Sequence, residues 1–266
     1  MGALVALFTL PLVGGIIDFL TLTWAYLLRL AAGAYLAEGA HKSRRPEQML
    51  ELYELEQDED CRSVRETLST LDLDVLIKPC PRGGSRFMQE RKRLAQKDAS
   101  LPMLHDPNTT QVLSNASAIN EYLWKRYGNK ASPGWAFRLA NFSALGSLSG
   151  RLASAIRPAA SHGWTATPTS KKPEKALVLW GSEGSPFVAR VREALCALEI
   201  EYVYKTTPKF TSTKRKEWVR RFGNQLSKGR KAAGLIQIPL LEDPNTGKEL
   251  LESTDIAAYL YEEYSP

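Results

Sequence analysis

The strongest constraint on this fold is that the chain carries one pattern twice. LELYELEQDEDCRSVRETLSTLDL (Leu50–Leu73) aligns with LVLWGSEGSPFVARVREALCALEI (Leu177–Ile200) at an offset of 127 residues. Eight of those 24 positions are identical: Leu50, Leu52, Glu56, Val64, Arg65, Glu66, Leu68 and Leu71. Further on, LPMLHDPNT (101–109) matches IPLLEDPNT (238–246) at an offset of 137. Ile119, Tyr122, Leu123 and Tyr127 return as Ile256, Tyr259, Leu260 and Tyr264. Identities that keep their order at two fixed offsets mark a duplicated unit.

Each unit predicts strand, helix, strand, a variable segment, then two strands and a helix. LELYE and LVLWG are short apolar strands. Val64, Leu68 and Leu71, and Val188, Val191, Leu195 and Leu198, recur at helical spacings. LDVLIK and EYVYKT supply the second strands. PMLHD and PLLED open hairpins whose turn is Asp-Pro-Asn-Thr, where proline presets the backbone angle and Asp and Asn bond their own backbones. Residues 129–175 connect the units through an apolar helical piece, FRLANFSALGSLSGRLASAI, and a Pro/Ser/Thr-rich loop that predicts a flexible or extended tether. His162 and Trp164 in that loop lack a second ligand residue and read as packing or solvent residues.

The order of strand, turn, helix and strand, followed by Pro-x-Leu-x-Asp and Glu-Ser-x-x-Ile-x-x-Tyr-Leu, resembles the N-terminal domain of glutathione S-transferases, which has the thioredoxin/glutaredoxin fold. The resemblance covers residues 49–128 and 176–266 and is closest in IPLLEDPNTGKELLESTDIAAYL. With the tandem arrangement and the apolar upstream segment, the chain is similar to plant and algal chloroplast proteins that carry two such units and no all-helical transferase domain. The expected fold is therefore α/β, two tandem thioredoxin-like domains of the transferase N-terminal type, preceded by an apolar helical segment over 1–48. The resemblance implies a cis bond before Pro239, with the backbone of Ile238 turned toward glutathione. It also places Glu252 and Ser253 at the start of the last helix, where backbone N–H groups and the helix dipole favour the γ-glutamyl carboxylate. Serine at 253 equally suits an ordinary N-cap.

The chemistry of such a fold sits where the first helix begins. A Cys-x-x-Cys pair works there because the dipole makes the first thiol a thiolate and the second resolves the mixed disulfide. Family members often carry Cys-Pro-Phe-Cys; this chain has Asp-Glu-Asp-Cys at 58–61 and Ser-Pro-Phe-Val at 185–188. Ser185 can stabilise the thiolate of bound glutathione, as serine transferases do. Capping by Ser185 with Pro186 in the first turn explains the same pair without catalysis, and capping is favoured. In the first unit Cys61 keeps only the vestigial resolving position. Glu56, Asp58, Glu59 and Asp60 surround it and should raise its pKa. Asn115-Ala116 replaces Glu-Ser, so this unit reads as a poor glutathione binder and a structural or partner-binding copy. Cys196, beside Leu195 and Leu198, reads as a packing cysteine.

The chain's 44% apolar content is enough to fill real cores, and its three cysteines point to a reducing compartment rather than a disulfide framework. MGALVALFTLPLVGGIIDFLTLTWAYLL carries one charge, Asp18. Its length suffices for a bilayer, which takes about 20 apolar residues, although Pro11, Gly14, Gly15 and Asp18 interrupt it. An anchor in or on a membrane is expected, the alternative being an apolar helix packed on a partner. Residues 82–97 sum to +5 and residues 209–231 to +8, more than the whole chain's +6. These runs suit an anionic membrane surface or an acidic protein, and equally a solvated helix face. No motif points to nucleic acid or to a metal. Three functions follow: a weakly active or non-catalytic glutathione-site and partner-binding module at a chloroplast membrane; a glutathione transferase using Ser185; or a structural subunit of an organellar membrane complex.

Overall fold

The computed structural model describes residues 20–21, 23–24, 27, 29–30, 32–40, 44–95, 100–129, 131–141, 148–149, 151–152, 163–209, 212–225 and 236–266. The first 19 residues, His162 and the basic residues Lys228, Arg230 and Lys231 lie outside them. Among the described residues, no helix is long and apolar enough to cross a membrane.

The chain forms β1 (Leu50–Glu54), α1 (Glu59–Thr70), β2 (Val75–Pro79), α2 (Met88–Ala95), β3 (Met103–Asp106), β4 (Gln111–Ser114) and α3 (Ala116–Tyr127). A short α4 (Trp135–Asn141) follows. The first order then returns as β5 (Leu177–Gly181), α5 (Pro186–Ala197), β6 (Tyr202–Thr206), α6 (Thr213–Phe222), β7 (Leu240–Asp243), β8 (Lys248–Leu251) and α7 (Ser253–Tyr264). All strands join one sheet in the order β4-β3-β1-β2-β6-β5-β7-β8. In each half the first two strands run parallel and the hairpin is antiparallel. The halves meet where β2 and β6 pair antiparallel, with Leu76 opposite Val203.

Strand alternation decides the layers. Leu50 and Leu52, with Leu177 and Leu179, face α1, α3, α5 and α7, and this core runs unbroken across both halves. The neighbours Tyr53 and Trp180 point to the other face. Tyr53 packs there with Phe87 and Met103, beside Leu94 of α2, and Trp180 with Trp218 and Phe222 of α6.

The stretches before each half cross onto the opposite half. Lys209 N donates to Ala34 O at 2.7 Å, and Arg82 N donates to Trp164 O at 2.8 Å. Ala37 N bonds Thr70 O, and Thr167 N bonds Ala197 O. Two glycines permit this approach. Gly33 (φ +76°) and Gly163 (φ +91°) sit so close to the first helices that a Cβ would lie 2.9 Å from Glu66 Cα and 3.1 Å from Glu193 Cα. The described part of the tether is thus bound along its length. Ser170 Oγ bonds Leu198 O, and the guanidinium of Arg82 lies over the Trp164 ring.

Candidate functional site

The register brings three chain segments of the second half to one end of the sheet. Trp180, near the end of β5, sits opposite Leu240, the first residue of β7, which sits opposite Leu251, the last of β8. The turn 182–185, the Ile238–Pro239 bond and the Glu252–Ser253 pair therefore share that end. The bond before Pro239 is cis, as is the bond before Pro102 in the first half. The side chains of Gln237 and Glu252 are hydrogen-bonded.

At the turn, Ser185 caps α5, with Pro186 in the first turn and its hydroxyl oxygen accepting from Val188 N at 3.4 Å. Accepting leaves the hydroxyl proton free to donate. Val188, where a second cysteine would stand, is buried. Asp58 takes the same place in the first half, its carboxylate accepting from Asp60 N and Cys61 N at 3.0 and 2.9 Å. Cys61 is buried and accepts from Leu55 N. Burial foremost, then Asp58 and Glu54, holds its thiol well above the ordinary value. The sequence places Glu56 among the carboxylates acting on Cys61, but the structure turns that side chain to Arg192 instead. Burial likewise pushes Cys80 up to about 12 and raises Cys196. No described thiol is activated.

The helix starts at the other two positions differ between the halves. Ser253 is not the N-cap. That place belongs to Glu252 (φ +70°), whose side chain makes no cap bond, and Ser253 is the buried first helical residue. In the first half Asn115 holds the same backbone place (φ +85°), and its side chain accepts from Ser117 N and Ala118 N. The start of α3 is closed by its own residue, while that of α7 keeps its first-turn N–H groups without a side-chain acceptor.

The identical Glu, Arg and Glu of the duplicated stretch lie elsewhere, where α1 meets α5. Arg192 grips Glu56 of the other half with two bonds of 2.9 and 3.0 Å and Glu183 of its own at 3.0 Å. Arg65 reaches across to Glu183 at 3.0 Å and also bonds Glu54 at 2.5 Å and Glu56 O at 3.1 Å. All five side chains are buried. Burial alone would lower both guanidinium pKa values, but the surrounding glutamates raise them well above the ordinary value. Three carboxylates share two guanidiniums. Burial, opposed in part by Arg65, pushes the Glu54 carboxyl up to about 7. Glu66 pairs with Arg29 at 2.6 Å, and Glu193 accepts from Gln57. A cavity of about 50 Å³ opens here, lined by both turns through Gln57, Gly184 and Ser185. Sequence reasoning missed this cluster as a unit; its one signal was that charged residues, not only apolar ones, return in both copies.

The basic runs are partly consumed inside the molecule. Lys214 pairs with Asp72 and Asp74, Arg221 with Glu242, and Arg86 bonds the carbonyls of Leu198, Glu199 and Ser170.

A mixed α/β arrangement that, among the described residues, has one eight-stranded sheet flanked by the seven α-helices named above, with a helix start and a cis-proline at one sheet end, is consistent with a thioredoxin-like fold. Within it, residues 179–266 match the family of the glutathione S-transferase, N-terminal domain. No curated protein and no solved structure matches the chain significantly.

Proposed function

We propose that the protein is a glutathione-site and partner-binding module of weak or no turnover, built from two tandem thioredoxin-like units and working at a plastid membrane. The observation that carries the ligand is the start of α7. Its N–H groups have no side-chain cap, beside Ile238 and a cis-Pro239, in the segment that matches the transferase N-terminal family. A γ-glutamyl carboxylate fits that place through the helix dipole and the open donors. The closed start of α3 supports a structural role for the first half. Caps at Asp58 and Ser185 and a shielded Cys61 argue against dithiol exchange. The apolar run before residue 29 supports the membrane setting, and the chloroplast assignment rests on the resemblance of the whole arrangement.

A second reading is favoured by the hydroxyl proton that Ser185 retains: a transferase in which Ser185 donates to the glutathione thiolate. Calorimetric titration with millimolar glutathione tests the binding claim, and no heat together with no amide shifts would remove glutathione from both readings. With binding established, Ser185→Ala should leave affinity within about twofold and any turnover of a generic electrophile unchanged. A loss of turnover of 10²-fold or more would transfer the case to the catalytic reading.

A further inference from the structure

We propose that the flank that exposes Leu20, Trp24, Leu27, Trp135, Leu148 and Leu152 is a lipid-docking face that seats the protein on an anionic bilayer surface. This rests on the reading above that the protein works at a membrane, and it names the surface that makes the contact.

Leu20, Trp24 and Leu27 are helical and spaced four and three apart, so they share one face, and they are 49%, 58% and 53% exposed. Leu148 and Leu152, also helical and four apart, are 55% and 48% exposed, and Trp135 is 76% exposed. Arg29 holds these two stretches together. It donates to Ala140 O at 2.9 Å, to Asn141 Oδ1 at 2.9 Å and to Ser149 Oγ at 3.4 Å, while pairing with Glu66 below. The half-exposed Leu30, Leu139 and Leu148 each lie one residue from a group in that knot. Scattered apolar side chains on a surface need no account, but large exposed ones gathered on two stretches bonded through one arginine do.

Two observations choose lipid over another occupant. The 19 residues that lead directly into Leu20 carry a single charge, Asp18, so the chain enters this face from a strongly apolar run. The exposed set also has the make-up of an interfacial surface. It combines two exposed tryptophans with exposed leucines, and Arg138 and Arg151 on the same segments, with Lys125 of α3, are exposed cations. Tryptophan prefers the headgroup level, and basic residues add attraction to anionic lipid. The helices of this flank lie on the surface of the bilayer rather than crossing it.

The test is flotation of the full chain with phosphatidylcholine vesicles, with and without one quarter phosphatidylglycerol. The parent should float, more with the anionic lipid, and its tryptophan emission should be quenched by vesicles with brominated acyl chains. Leu148→Glu with Leu152→Glu should lower the bound fraction tenfold or more, with circular dichroism unchanged. Should that pair disturb folding, Trp135→Ser carries the test, because its side chain is 76% exposed, and at least a threefold loss is expected. A second full-length variant, Leu7→Glu with Leu12→Glu, separates the two ideas. If it abolishes flotation while the 148/152 pair floats like the parent, the face is overturned and the membrane reading stands. If the parent does not float at all, both fall. A dimer in sedimentation that Trp135→Ser dissolves, without flotation, would show that a second copy covers the face and would also overturn the proposal.

Discussion

Arg65 and Arg192 show what the repeated Val-Arg-Glu is for. Each arginine sits mid-helix and bonds a glutamate of the other half, so the residues that return in both copies close the seam between them. Removing one partner from a buried ion cluster strands the others. Arg65→Met should therefore cost about 3–5 kcal/mol of unfolding free energy, read from urea denaturation at pH 7. The surplus carboxylate makes a sharper prediction. With its carboxyl at about 7 in the fold against an ordinary 4.5, Glu54 binds a proton more tightly folded than unfolded. Its contribution is full below about pH 4.5 and is lost as pH rises through about 7. Glu54→Gln mimics the protonated form. Its stability relative to the parent should improve steadily between pH 5 and 8, measured by urea midpoints, and a constant gap would refute the assignment. Asp106 and Asp243 behave oppositely. Burial opposes their charge, but the tyrosine hydroxyls and asparagine donors around them hold both below the ordinary 3.8. Their support is present above about pH 4 and is lost as pH falls further.

At the scale of elements, the hairpin turns show the same economy. Asp243 Oδ2 accepts from Tyr259 at 2.7 Å and Tyr264 at 2.5 Å, and Asp106 Oδ2 from Tyr122 at 2.6 Å and Tyr127 at 2.5 Å. Asn108 and Asn245 clip the chain ahead of β1 and β5 by paired bonds to Gln48 and Lys175. The Asp-Pro-Asn-Thr motif thus ties hairpin, last helix and incoming strand together. Tyr264→Phe should cost about 1.5–3 kcal/mol, the value of a hydrogen bond to a buried charge. In the proposed function, helix starts carry the difference between the halves. Glu252→Asn would give α7 the cap that Asn115 gives α3, at a positive φ that asparagine tolerates. The variant should melt no lower than the parent and bind glutathione several-fold more weakly in the same calorimetric titration; unchanged affinity would place the ligand elsewhere. The strands, first helices and turns were legible because periodicity and turn chemistry are local: LELYE, LVLWG and Asp-Pro-Asn-Thr fall where the sequence puts them. The cap at Glu252 was not, since serine is the better capping residue and only the backbone angle moves that role back one place. Nor were the crossing segments at 33–37 and 163–167, which share a position-matched Gly33 and Gly163 and almost nothing else. Their signal is a pair of close backbone approaches, which a single sequence does not reveal.

For the whole molecule, the consequence of the β2–β6 pairing is that the two halves share the core on the helix face of the sheet, while each keeps a small cluster of its own on the opposite face. One apolar cluster runs beneath both pairs of helices, the central strands share a ladder, and Ser212, Lys214 and Arg86 bond groups on the opposite half. The sequence predicts two modules joined by a tether; the shared ladder and helix-face core predict that the two unfold together. The three native cysteines allow a direct check, because Cys61 and Cys80 lie in the first half and Cys196 in the second. Cys61 and Cys196 are buried and Cys80 is partly so. Pulsed thiol labelling along a urea series, read peptide by peptide by mass spectrometry, should give one midpoint for Cys61 and Cys196. Arg192→Met, a change in the second half, should move the Cys61 midpoint as far as that of Cys196, because the guanidinium it removes holds Glu56 in place. Two midpoints, or a shift confined to Cys196, would mean that the halves unfold independently. The buried arginine–glutamate seam would then be a contact between finished domains rather than part of the interior that makes them.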